Sequence, residues 1–258
     1  MNAMQHLHRH PAALLALWAA TALAPTAAQA ADAYRFTAHL VGLYGGAPSS
    51  ISRPLQLTES GIVYGTQLEA DGTGRSRFVG YQWINGVNQR LFDMPWVIGG
   101  NAERMLGVSE TGIFLTNVWA RQGDKVQTLG SLPDTAGPQA AAQINDSGRI
   151  VGTRTIIDPL TGRQQQTPTA WQFGGSAGTA VASNLAFPTE YRQASGVGLR
   201  DINAAGTAVG VSSVSQTILR GTVWQSDGSA GLLPSLSTDP LSGQALLSDA
   251  VDISNSGW

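Results

Sequence analysis

Five segments of the chain repeat one short pattern, roughly apolar-x-x-x-Gly-apolar-apolar, and a fixed period of this kind decides the architecture before any other feature is weighed. The segments are LQLTESGIVYG from Leu55, LGVSETGIFLT from Leu106, AQINDSGRIVG from Ala142, RDINAAGTAVG from Arg200 and VDISNSGW from Val251. Their central glycines, Gly61, Gly112, Gly148, Gly206 and Gly257, stand 51, 36, 58 and 51 residues apart. In the third copy Ile144 precedes Asn145, Asp146 and Ser147, whose short side chains bond their own backbone and favour tight turns, and Gly148 accepts the positive φ such a turn demands. Asn203 holds the place of Asn145 in the fourth copy. Apolar residues such as Ile150 and Val151 then start a strand, so each copy is expected to be a β-hairpin.

A second landmark follows each of the first four copies. Trp83, Trp119, Trp171 and Trp224 close the runs GYQW, TNVW, PTAW and GTVW, which predict a third strand with its indole in the core. A polar turn and a leucine-rich stretch, Leu129 to Leu132 or Leu232 to Leu236, come next and are expected to be a fourth strand. Four short antiparallel strands in about 50 residues match one blade of a β-propeller. Such a sheet cannot cover both faces alone and must stack on its neighbours. The expected class is therefore all-β, a propeller-like array of four-stranded antiparallel blades. Two β-sandwich domains are the alternative and a parallel β-solenoid the third choice.

Composition agrees with that class and narrows the functions. Glycine makes up 31 of 258 residues, nearly twice the usual share of about 7%. Charged residues are 12%, too few to clothe the outer faces of a helical bundle or coiled coil. The 15 Lys and Arg nearly balance 17 Asp and Glu, which argues against a nucleic-acid partner or a polybasic membrane patch.

Residues 1 to 30 read as a signal peptide: Arg9, an apolar run from Ala12 to Ala24, Pro25, and Ala28-Gln29-Ala30 before a cut expected at Ala31. The run is too short to span a bilayer, so a membrane anchor is the weaker reading, and residues 31 to 258 are expected to be an exported repeat domain. The address is extracellular or cell-surface, with the periplasm as the other exported compartment. Cleavage would remove His6, His8 and His10 and leave His39; with no cysteine in the chain there is no thiolate, disulfide or Cys/His zinc site. The stretch from Tyr34 reads as the last strand of a blade, and the fifth copy stops at Trp258, so about four and a half blades are expected, in a protein that continues beyond this C-terminus.

The strings L-x-G-L-x-G-G-x-x-S-S at Leu40 to Ser50, INDSGRIVG at Ile144 to Gly152 and DINAAGTAVG at Asp201 to Gly210 resemble the bacterial extracellular HAF repeat family. In that family an Ile-Asn-x-x-Gly-x-Val-Val-Gly hairpin precedes a His-Ala-Phe-Leu-Trp-like strand. Here PTAW and GTVW lack the His and Phe. The resemblance covers most of residues 34 to 258. It implies a secreted or cell-surface protein, propeller-like, from a family whose members mostly have no assigned activity, some of which end in a C-terminal sorting segment.

Catalytic strings are weak. Gly174 to Gly178 fits G-x-S-x-G around Ser176, yet no helical pattern follows and no histidine lies downstream. Asp146, Asp201 and Asp252 recur near the hairpin turns and are the candidates for a carboxylate pair in a glycan-acting hydrolase; capping of turn N–H groups is the simpler role for them. Ser226-Asp227-Gly228 approximates a sialidase-type Asp box only poorly, and one acid per loop, as at Asn145 and Asp146, is too little for calcium. Tyr44, Trp96 and Tyr191 are candidate sugar-stacking aromatics. The expectation is a noncatalytic scaffold or binding module for a protein or glycan, without cofactor or metal. Its partners would meet loops such as Asp158 to Thr167.

Overall fold

The computed structural model describes residues 51–95, 97–98, 105–176, 178–188, 196–215, 218–234 and 248–256, and every regular element among them is a β-strand. The expected signal peptide, His39, Tyr44, Trp96, Tyr191 and Gly257 lie outside the described residues.

The strands form four antiparallel meanders in sequence order. The first contains β1 (Ile51–Leu57), β2 (Val63–Ala70), β3 (Arg75–Ile84) and β4 (Val87–Asp93), with β5 (Val97–Ile98) beside β3. The second contains β6 (Met105–Val108), β7 (Phe114–Thr116), β8 (Trp119–Gln122) and β9 (Lys125–Leu129). The third contains β10 (Thr135–Ile144), β11 (Arg149–Ile157), β12 (Gln164–Gln172) and β13 (Thr179–Asn184). The fourth contains β14 (Gly196–Ile202), β15 (Ala208–Ser215), β16 (Ile218–Trp224) and β17 (Ala230–Leu232). A short parallel pairing, Thr179 with Thr128 and Ala180 with Leu129, joins the outer strands of sheets two and three.

The turn between the first two strands of each sheet is the same object four times. The N–H of Gly61, Gly112, Gly148 and Gly206 donates to the carbonyl three residues back, on Thr58, Ser109, Asn145 and Asn203. The side-chain oxygens of those four residues each accept a further N–H four residues on, from Ile62, Ile113, Arg149 and Thr207, at 2.8 to 3.2 Å. The glycines have φ between 77 and 84°, the left-handed region in which a Cβ is penalised.

Four β-bulges also fall in register, between Pro54 and Gln56, Met105 and Gly107, Ala141 and Gln143, and Leu199 and Asp201. Each bends the first strand just before its turn. Opposite three of them stand Gly65, Gly152 and Gly210, where an added Cβ would run into the main-chain carbonyl of Arg53, Ala140 or Gly198. The closing glycine of the YG and VG strings is therefore a packing requirement against a bulge.

Cross-strand register fixes the large side chains. The residue two past the turn glycine faces the tryptophan in three sheets: Val63 opposite Trp83, Ile150 opposite Trp171, and Ala208 opposite Trp224. In sheet two Phe114 faces Arg121 instead. Trp119 starts β8 rather than ending it, because it stands only seven positions after Gly112, too few for a hairpin that would carry it across from Phe114.

Successive sheets bury a core between them. Tyr64 and Phe92 of sheet one meet Met105, Val108 and Phe114 of sheet two, with Phe114 edge-on to Phe92 at 4.9 Å and to Tyr64 at 5.9 Å. Leu115, Ala120 and Leu129 of sheet two meet Ile144, Ile150 and Trp171 of sheet three. Val151 and Ala170 of sheet three meet Leu199, Ala208 and Trp224 of sheet four. The first strands of neighbouring sheets lie side by side. Sheets two and three are thus packed on both faces, and the all-β array fits a propeller-like or a sandwich architecture.

The four tryptophans are not equivalent. Trp171 and Trp224 are 1% and 0% exposed, and each indole N–H donates at 2.8 Å to a carbonyl just past the last strand of the preceding sheet, Gly130 and Ala186. Trp83 and Trp119 are only half-buried, against the expectation of four enclosed indoles. Trp83 lies towards the end of β3, beyond the fully buried Val79 and Tyr81 of the same face, and Trp119 is displaced by the short second hairpin. The fourth strands differ from expectation too. They begin directly after tight glycine turns and end at Leu129 and Leu232, and Pro133 and Pro234, which lack a donor, follow shortly after. Of residues 158 to 167, expected to be a loop, 164 to 167 are already paired in β12.

Candidate functional site

The four hairpin turns and the turn at Ser254 to Ser256 meet along one rim. Position two of each turn is Glu59, Glu110, Asp146, Ala204 or Asn255. Side chains at this position accept N–H groups from the preceding turn: Glu110 from Glu59 at 2.9 Å, Asp146 from Thr111 at 3.2 Å, and Asn255 from Ala204 at 2.8 Å. Asparagine at position one adds a second link, as Asn145 donates to the Asn203 carbonyl at 2.9 Å and Asn203 to that of Ser254 at 3.3 Å. Asn145 and Asn203 are 5% exposed, so these bonds are shielded from competing water.

The bulges aim further side chains at the same place. Gln56, Gln143 and Asp201 each follow a bulge, and with Glu110, Asp146 and Asn255 they line a polar cleft of about 150 Å³. Gly107 holds the equivalent position in sheet two, where a Cβ would collide with the Gln143 carboxamide. On the other side of Asp201 a groove of about 300 Å³ runs over sheet four, lined by Val209, Val223, Leu233, Ile253 and Asp252.

Of the three candidate acids, Asp146 and Asp201 share the polar cleft, and Asp252 reaches Asp201 from the adjoining groove. The Asp252 carboxyl stands beside Asp201, which accepts the Ile253 N–H at 3.0 Å. Burial, then the Asp252 carboxyl, pushes the Asp201 carboxyl above its ordinary value. Glu110 escaped the sequence reading although it holds the same turn position as Asp146. Its charge adds to burial in raising the Tyr64 phenol.

This arrangement caps backbone N–H groups of neighbouring turns. Glycosidases hold their two acids about 5 to 9.5 Å apart, so that a sugar or water fits between. Asp201 is instead turned onto the Ile253 N–H, with the Asp252 carboxyl beside it. Ser176 is exposed in a turn, without a helix after it among the described residues, and Asp227 caps its own turn through Ser229. No group of three or more His, Cys, Asp or Glu suited to a metal occurs among the described residues. No helix there is long and apolar enough to cross a membrane.

The acid pair carries a pH signature. A carboxyl whose value is raised in the fold adds stability below its unfolded value of about 3.9, and that contribution is lost as pH rises through the raised value. Asp252→Asn removes the second charge, so the variant is expected to gain stability relative to the parent on going from pH 4 to pH 7. Asp201 is half-buried and Asp252 exposed, so water screens the gain to about 1 kcal/mol or less. Melting temperatures at both pH values read this as a relative rise of roughly 2–4 °C. Parallel pH profiles for the two proteins would show that the carboxyls do not interact.

No family model, curated protein or solved structure matches the chain.

Proposed function

We propose that the chain is an exported, noncatalytic repeat protein of the HAF type that serves as a scaffold or binding module for a protein or glycan. One observation carries the reading: Glu110, Asp146 and Asp201, the acids of the rim cleft, each accept a main-chain N–H from a neighbouring turn or from the segment leading into it. Carboxylates used in this way hold successive sheets in register and keep the rim rigid, a suitable base for recognition. The repeat pattern and the HAF-like strings support the family assignment, and residues 1 to 30 support export.

A second reading, a glycan-acting hydrolase, rests on the raised Asp201 carboxyl beside Asp252. A polysaccharide panel separates the two. The purified protein is expected to be retained on one or more immobilised glycans or surface proteins while releasing no reducing sugar. Sugar release that disappears in Asp201→Asn would replace the scaffold with the hydrolase.

A further inference from the structure

Sheet two breaks the rule that the other sheets obey. Where they place tryptophan, it places Arg121, and the tryptophan stands two residues earlier as Trp119. An arginine cannot fill the space of an indole against the preceding sheet, and a cavity of about 640 Å³ opens there, lined by Arg77, Asp93, Met94, Pro95, Trp119, Arg121 and Val126. Pockets for small molecules fall in this size range and combine apolar walls with a few fixed polar groups.

The polar groups are pre-set. Arg77 and Arg90 pair with Glu69 and Asp93 at 2.5 to 3.0 Å, two cations against two anions. Arg121 is outside that balance: among the described residues it has no carboxylate partner, and it supplies the surplus positive charge of the pocket. Its guanidinium lies over the Phe92 ring, 4.4 Å from the centroid, and its Nε–H donates to the Gly123 carbonyl at 2.7 Å. One face and one N–H are thereby anchored, and the two terminal nitrogens are left to grip a planar anion. Met94, Pro95, Trp119 and Val126 supply carbon surface on which an apolar body would rest.

From this geometry we infer that the cavity between sheets one and two binds a small carboxylate with an apolar or aromatic body, the carboxylate held bidentate by Arg121 and the body against Trp119. This site is separate from the turn rim and from the scaffold reading, and either stands if the other fails.

Calorimetric titration of the full chain at pH 7 with 4-phenylbutyrate, 4-phenylbutyramide and glucuronate tests it. Phenylbutyrate is expected to bind saturably at one site, and the amide at least about tenfold more weakly, as loss of a charge-assisted pair implies. Arg121→Gln should weaken the acid by a similar factor without changing the amide, and Trp119→Ala should weaken both. Equal binding of acid and amide, unchanged binding by Arg121→Gln, or no saturable heat up to about 10 mM ligand overturns the inference. Glucuronate outcompeting phenylbutyrate overturns the assignment of an apolar body. Should Arg121→Gln not fold, the acid and amide comparison on the unsubstituted chain decides alone.

Discussion

Replacing Gly152 by alanine is expected to cost about 3 kcal/mol or more and to lower the melting temperature by roughly 10 °C. The added Cβ would fall on the Ala140 carbonyl oxygen and within 2.8 Å of the Ala141 Cα. Both atoms belong to the main chain at the bulge between Ala141 and Gln143, so no rotamer change relieves the overlap. Relief requires that β10 move away from β11, and β10 is also the strand that lies beside the first strands of sheets two and four. Gly162 provides the comparison. Its φ of 68° makes alanine mildly strained, but nothing lies within 4 Å of the Cβ position, and Gly162→Ala should cost only about 1 kcal/mol. Thermal or urea unfolding of the two variants reads the difference. Equal midpoints would show that the bulge yields, and that the repeated closing glycine has no packing role.

Trp171→Ala should be comparably severe, at about 4 kcal/mol, and Trp83→Ala should cost only about 1 kcal/mol. The indole of Trp171 is 1% exposed, packs with Leu115, Leu129 and Ile150, and donates to the Gly130 carbonyl. Truncation leaves a cavity between sheets two and three and strips that carbonyl of its donor. Trp171→Phe separates the two contributions: it retains most of the volume and loses the hydrogen bond, for about 1–2 kcal/mol. Trp83 is half-buried, unlike Val79 and Tyr81 on the same face of β3, and has less to lose. Urea midpoints for the three variants test the order. A Trp83→Ala loss as large as that of Trp171→Ala would mean that the Trp83 indole is as enclosed as that of Trp171.

Both expectations concern residues that the sequence singled out, yet the reasons became visible at different levels. The turn is local chemistry: Asn145 bonds Arg149 four residues on, and Gly148 takes φ of 77°. A reader of INDSGR can derive that much, since the atoms involved lie within five residues. The closing glycine of IVG is different, because its obstacle is the carbonyl of Ala140, 12 residues back and displaced by a bulge. Trp119 was misplaced for a related reason: the run TNVW looks like PTAW, but strand pairing counts residues from the turn, and the count of seven cannot deliver an indole across from Phe114.

The rim shows the same division. Asp146 and Asp201 were legible as turn-associated acids, and Asp252 as a third. That Asp146 caps the turn of the preceding sheet, that Asp201 rests against Asp252, and that Glu110 joins them depends on sheets 35 to 54 residues apart meeting at one edge. The Arg121 cavity had no sequence signature, because it exists only where one unit departs from a register that three others keep.

The sequence by itself determined that the chain is all-β, that its unit is a glycine-turned meander, and that the unit recurs, because turns and strand alternation are short-range properties of the backbone. Tertiary structure alone decided which tryptophans are enclosed, which acids meet and where a cavity opens. Those outcomes depend on how bulged sheets stack, and stacking brings together atoms whose separation along the chain no local rule encodes.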